Sequence, residues 1–162
     1  MSIDLYLQLD GIPGDSAAKG HERWIEVTGV DWGMSHSAGS GSGHGGGAGG
    51  GAGRVSFGPL DVAGWLGSAT PRVLDACARG IHLRRAVLEA VAPGESPRVT
   101  ARWELEEVVV SALSVAGAGA TLADATSLTY GRIRLTTFAQ DASGGAGQAV
   151  SGGWDIESSQ PW

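Results

Sequence analysis

Alternation with a period of two is the feature that most limits how this chain can fold. Ile3, Leu5, Leu7 and Leu9 alternate with Asp4, Tyr6, Gln8 and Asp10. An extended backbone puts the four apolar side chains on one face, as a half-buried strand requires. The pattern returns where Val99, Ala101, Trp103 and Leu105 alternate with Thr100, Arg102, Glu104 and Glu106. Residues 22–32, 54–57, 83–91, 108–115, 126–138 and 150–156 add further strand candidates, rich in Val, Ile, Leu and Thr. In 22–32, Trp24, Glu26, Thr28, Val30 and Trp32 fall on one face, and Ile25, Val27, Gly29 and Asp31 on the other. Apolar groups on both faces predict burial on both sides, or a face awaiting a partner.

A single helix is expected over 70–80. Thr70 suits the cap, Pro71 the first helical position and Gly80 the exit. Val73, Leu74 and Cys77 recur at helical spacing, with Arg72 and Asp75 outside. About ten residues do not hold a helix in water unaided, so it must dock on a sheet. Seven or more strands with one helix predict a mostly β fold, a small antiparallel β-barrel with one short flanking α-helix. The 162 residues suit one domain, taken as 1–162.

Residues 39–53 hold ten of the 28 glycines. No side chain there can fill a core, so about 37–53 reads as a flexible loop between strands, of a length often tied to function. Lys+Arg is 11 and Asp+Glu 17, a net charge of −6. Such a balance argues against binding a nucleic-acid backbone. Cys77 is the only cysteine, which excludes an internal disulfide and a Cys-based zinc site. No run of about 18 apolar residues exists to span a membrane. The first ten residues lack the basic and apolar regions of a secretory signal. Synthesis in the cytoplasm is expected, with any exit made without a cleaved signal.

The residues offer little for catalysis. Gly41, Gly43 and Gly46 match G-x-G-x-x-G trivially, and a strand rather than a helix follows. His21-Glu22 would open a zinc-protease motif only if Ile25 were histidine. His36 and His44 flank or enter the glycine loop, where holding a metal would carry a large ordering cost. Glu106 and Glu107 are adjacent on a strand and point apart. Cys77 reads as a small core hydrophobe. The expectation is no enzyme, no cofactor and no metal. Six tryptophans stand against two Tyr and two Phe. They either fill the barrel core or lie at subunit contacts, where Trp is favoured. A ring of head-to-tail contacts would hide sheet edges that a monomer must protect.

These residues, taken in order, resemble the haemolysin-coregulated protein (Hcp) family of bacterial type VI secretion systems. The likeness begins with Ile3-Asp4-Leu5-Tyr6-Leu7 and Gly11-Ile12-Pro13-Gly14-Asp15-Ser16. It runs through His21, Ile25-Glu26-Val27 and Trp32-Gly33-Met34-Ser35 to Arg54-Val55-Ser56-Phe57. Thr70-Pro71, Ala76-Cys77-Ala78, Gly80, Leu105-Glu106-Glu107-Val108-Val109-Val110-Ser111, Gln140-Asp141 and Gly152-Gly153-Trp154-Asp155-Ile156 continue it.

The resemblance implies a barrel that assembles as a homohexameric ring. Rings would stack into the inner tube that a contractile sheath drives outward, under a valine-glycine-repeat spike, with small effector proteins in the lumen. It implies no nucleic-acid partner and no membrane insertion. The glycine loop, with Gly39, His44 and Gly50, would reach a neighbouring subunit. Gly94 would sit on a ring face, Glu157 in a tail that helps stacking, and Asp31 on the strand bordering the lumen, as a negative band. Two departures bear on stacking: Phe138-Ala139-Gln140 replaces an aromatic-x-Pro-Gln turn, and 157–162 replaces a basic, amide-rich tail. Two other readings remain open: a phage-like tail tube subunit of the same fold, and a ligand-binding β-barrel carrier.

Overall fold

A computed structural model describes residues 2–37 and 54–162. Its strands are β1 (Asp4–Leu9), β2 (Ile25–Asp31), β3 (Met34–Ser37), β4 (Arg54–Phe57), β5 (Leu60–Trp65), β6 (His82–Ala92), β7 (Arg98–Ala118), β8 (Thr121–Thr129), β9 (Arg132–Gln140), β10 (Ala146–Asp155) and β11 (Gln160–Pro161), with helix α1 (Thr70–Arg79) between β5 and β6. Every pairing is antiparallel. The ladder β7-β6-β1-β2-β5-β8 returns to β7, so six strands close a barrel. Strands β9, β10 and β11 extend the sheet outward from the first half of β7 as a wing. Strands β3 and β4 pair with each other as a separate arm.

Leu7, Leu9, Val27, Leu60, Leu88, Leu105, Val108, Val110 and Leu128 fill the barrel. Leu60, Leu88, Leu105 and Leu128 are wholly buried, each contributing about 1.5–3 kcal/mol relative to exposure. Ile3 precedes the first ladder pair, Asp4 with Val91, and is exposed. The expected face of β1 therefore begins at Leu5, not Ile3.

Two irregularities, a bulge in β2 and a kink in β7, break the expected alternation. In β2 the register slips between Val27 and Gly29, where the Thr28 hydroxyl donates to the Ala63 carbonyl. Val27 and Val30 consequently both pack on the core, although a strict period of two sends them to opposite faces. In β7, Glu107 has φ +54°, so Leu105 and Val108 both point inward. There the Gly131 N–H meets the carbonyls of Glu106 and Glu107, and β7 changes partner from β9 to β8. Tyr130 and Gly131 form the turn that divides the extended segment expected over 126–138.

The helix forms where expected, with two differences. Ala69 is the N-cap, without a side-chain bond. The Thr70 hydroxyl instead accepts from the Gly67 N–H and donates to Asp124. Thr70, Val73 and Ala76 are the buried residues. At about 100° per residue, Leu74 stands about 100° away from Val73 and is 58% exposed. Gly80 closes the helix at φ +61°, a conformation that favours glycine.

Candidate assembly surface

The arm is positioned by a chain of three groups. Trp32 Nε1–H donates to the Tyr130 hydroxyl at 2.6 Å, and that hydroxyl donates to the Gly58 carbonyl at 2.7 Å. The ends of β2, β4 and β8 are thereby tied at one point. Burial raises the Tyr130 pKa, and the Trp32 donor partly offsets it. Along the arm, Met34 pairs with Phe57 and His36 with Val55. Alternation puts these four on one face and Ser35, Ser37, Arg54 and Ser56 on the other.

The wing has two unlike faces. Glu104, Glu106, Arg132, Arg134 and Asp155 share one of them. Arg132 bonds Asp155 at 2.8 Å and Glu106 at 3.0 Å, and these partners raise its pKa. Asp155 is held below the usual carboxylate range by the Ser158 N–H first and by Arg132 second. Arg134 stacks over Trp162 at 4.3 Å and bonds its backbone oxygen. Gly153 lies so close to that oxygen that a side chain would not fit. The opposite face carries Ile133, Leu135, Gly152 and Trp154. With Trp32, Met34, Val55 and Phe57 of the arm side it bounds an apolar groove of about 250 Å³. Met34 remains 51% exposed. Beyond the groove Val150 is 63% exposed, and β11 covers the β10 edge only at Trp154 and Asp155. Unpaired sheet edges of this kind invite another chain.

A second surface lies on the outside of the barrel. Asp31 is exposed at the end of β2 and stands directly opposite Asp61 on β5. Asp61 accepts a hydroxyl bond from Ser127. No cation bonds either carboxylate among the described residues.

The structure spreads the sequence-derived candidates apart. Gly94 lies in the β6–β7 connection, beside the β9–β10 turn through Ala92, Pro93, Gln140 and Gly144. Glu157 is exposed in the turn before β11, at the other end of β10. Ten extended residues place these two ends about 30 Å apart. Gly39, His44 and Gly50 lie outside the described residues. Tyr130 was not singled out by its sequence, since nothing in its periodicity separates it from its neighbours. None of the six tryptophans is fully buried. Aliphatic residues fill the barrel, and Trp32 and Trp154 bound the groove. His21 is buried, bonding Glu89 at 2.6 Å and stacking on Tyr6, while Arg102 takes the other Glu89 oxygen.

Residues 6–136 match the family described as "Type VI secretion system effector, Hcp". The chain is 33% identical over 160 residues to protein Hcp1 of Pseudomonas aeruginosa, covering 96% of each. Among solved structures, a type six secretion system protein superposes with TM-score 0.89 at 23% identity, over 99% of this chain and all of that one. Hcp1 of Salmonella typhimurium superposes with TM-score 0.80 at 21% identity, over the whole of both chains.

Proposed function

The chain belongs to the Hcp family of the type VI secretion system, and on that premise we propose that it is the structural subunit of the inner tube. Six copies form a ring, rings stack, and small effector proteins travel in the lumen. A contractile sheath surrounds the tube and a valine-glycine-repeat spike caps it. The chain is exported as part of the tube, and no catalytic step is assigned to it.

The observation that carries this reading is the match over nearly the full length of both this chain and its P. aeruginosa relative. Physical features of the monomer support it. An apolar groove and a largely uncovered β10 edge are surfaces that a lone soluble chain has reason to hide. Groove and edge would meet neighbours around the ring, with residues 37–53 reaching across. The two ends of the wing, at Gly94 and Glu157, would meet the rings above and below. Asp31, with Asp61 beside it, would face the lumen and favour cationic over anionic cargo.

Size-exclusion chromatography with light scattering tests the assembly. A closed ring of six weighs about 98 kDa, six times the 16.4 kDa chain, and negative-stain images of it show a central hole. A stable 16.4 kDa species at high concentration would refute spontaneous ring formation. It would raise the reading as a ligand-carrying barrel.

A further inference from the structure

The end of the barrel nearest the helix holds a cavity of about 140 Å³. Strands β2 and β5 part there. Their last pair toward this end is Val27 with Gly64, while Ile25 is held by Leu7 of β1 and Trp65 by Ala123 of β8. Gly14–Asp15 and Gly67–Thr70 border the resulting wedge. Asp15 ties these two segments together through the Ser68 N–H and hydroxyl.

The walls are apolar, chiefly Leu7, Leu9, Val27, Val62 and Val73. Asp15, Glu26, Thr70, Asp124 and Thr126 supply the polar part of the lining. Asp124 Oδ2 accepts from the Thr70 hydroxyl, and Oδ1 takes part in no bond among the described residues. Thr126 is only 7% exposed and borders the cavity. A void lined by apolar carbons costs stability. A dry cavity of about 150 Å³ in another protein admits benzene.

We propose that this barrel mouth is a binding site for a small amphipathic molecule, one aromatic ring or a short alkyl chain bearing a single hydroxyl or amine. The apolar body packs on Val27, Val62 and Val73, and the polar group bonds the Thr126 hydroxyl and the free Asp124 oxygen. The site is separate from the groove: it lies toward the Trp65 end of β5, whereas Phe57 and Trp32 lie toward the Leu60 end.

Benzyl alcohol, benzylamine and toluene serve as probes on the full chain, followed by thermal melts and amide NMR shifts. At ten times its Kd, benzyl alcohol or benzylamine raises Tm by about 3–5 °C, and toluene binds more weakly. Thr126→Val, close in shape but without the hydroxyl, narrows the difference between benzyl alcohol and toluene. Ala69→Leu fills the cavity and abolishes both responses; should it fail to fold, Thr126→Val decides. The proposal is overturned if 10 mM probe moves neither Tm nor the Val73 and Thr126 amides. It is equally overturned if Thr126→Val keeps the full preference for benzyl alcohol, or if a soaked crystal holds only water in the cavity.

Discussion

Replacing Tyr130 by Phe deletes one oxygen and breaks two hydrogen bonds. The variant leaves the Trp32 Nε1–H and the Gly58 carbonyl without the partner each now holds, at 2.6 and 2.7 Å. A buried group left unsatisfied costs about 1–3 kcal/mol. Trp32 and Tyr130 are half-buried, so water recovers part of that and the low end applies to each. The expected loss is about 2 kcal/mol, or roughly 4–8 °C in Tm for a chain of this length. Melts at fixed protein concentration and neutral pH measure it, since assembly makes Tm depend on concentration. Alkaline pH supplies a second readout. Burial raises the Tyr130 pKa, so the folded state favours the neutral phenol. That stabilisation is complete below the ordinary value near 10 and is lost as pH rises through the raised one. Tyr130→Phe lacks this alkaline loss. A Tm change below about 2 °C, with an unchanged alkaline limb, would refute the role given to the three-group chain.

Two further outcomes follow from local geometry. Deleting residues 39–51 leaves Ala38-Ala52-Gly53 between Ser37 and Arg54, which pair across the arm. Three residues are enough to close a hairpin, so circular dichroism keeps its β signal while the assembled mass falls; loss of the β signal would show that the segment supports the barrel. At acid pH, the Ser68 hydroxyl and N–H hold the Asp15 carboxyl below its usual range. The stabilisation is present above the unfolded value near 4 and disappears as pH falls through the lower folded value. Ser68→Ala should therefore lose less stability than the parent chain on acidification from pH 5, and equal losses would discount the tie.

Much of the fold was legible because it rests on local signals. Alternation in β1 and in the first half of β7 fixed which side chains enter the barrel, and Pro71 and Gly80 bracketed the helix. The errors share a physical cause. The inserted residue in β2 and the positive φ at Glu107 each reverse the faces downstream, and neither Thr28-Gly29 nor Glu106-Glu107 differs in composition from an unbroken strand. Strand β5 alternates Leu60, Val62 and Gly64 with Asp61, Ala63 and Trp65, but glycine and alanine blur the contrast. Leu74 fits helical spacing yet lies outside, because the ten-residue helix buries only a narrow stripe. Of the candidate site, Asp31 was readable through the family resemblance, whereas alternation alone set it on the face of Val27. Its neighbour Asp61 was not readable, since that pairing depends on a register 30 residues away in sequence.

That Asp31–Asp61 register carries the last prediction. Like charges directly opposite on one sheet face are destabilising, by about 0.2–1 kcal/mol. Ser127 relieves Asp61 in part, and Asp31 remains exposed without a bonded cation among the described residues. Asp31→Asn should therefore leave the fold as stable or raise Tm by about 1–2 °C. If the pair lines a lumen, the same change weakens retention of a basic reporter protein in assembled rings and spares an acidic one of equal size. The difference shrinks as salt rises and screening sets in. If the pair faces another subunit or the outside of the tube, neither reporter responds. Stability thus tests the register of β2 against β5, and cargo retention tests the face on which it lies. A fall in Tm would refute the first, and equal retention of both reporters before and after substitution would refute the second.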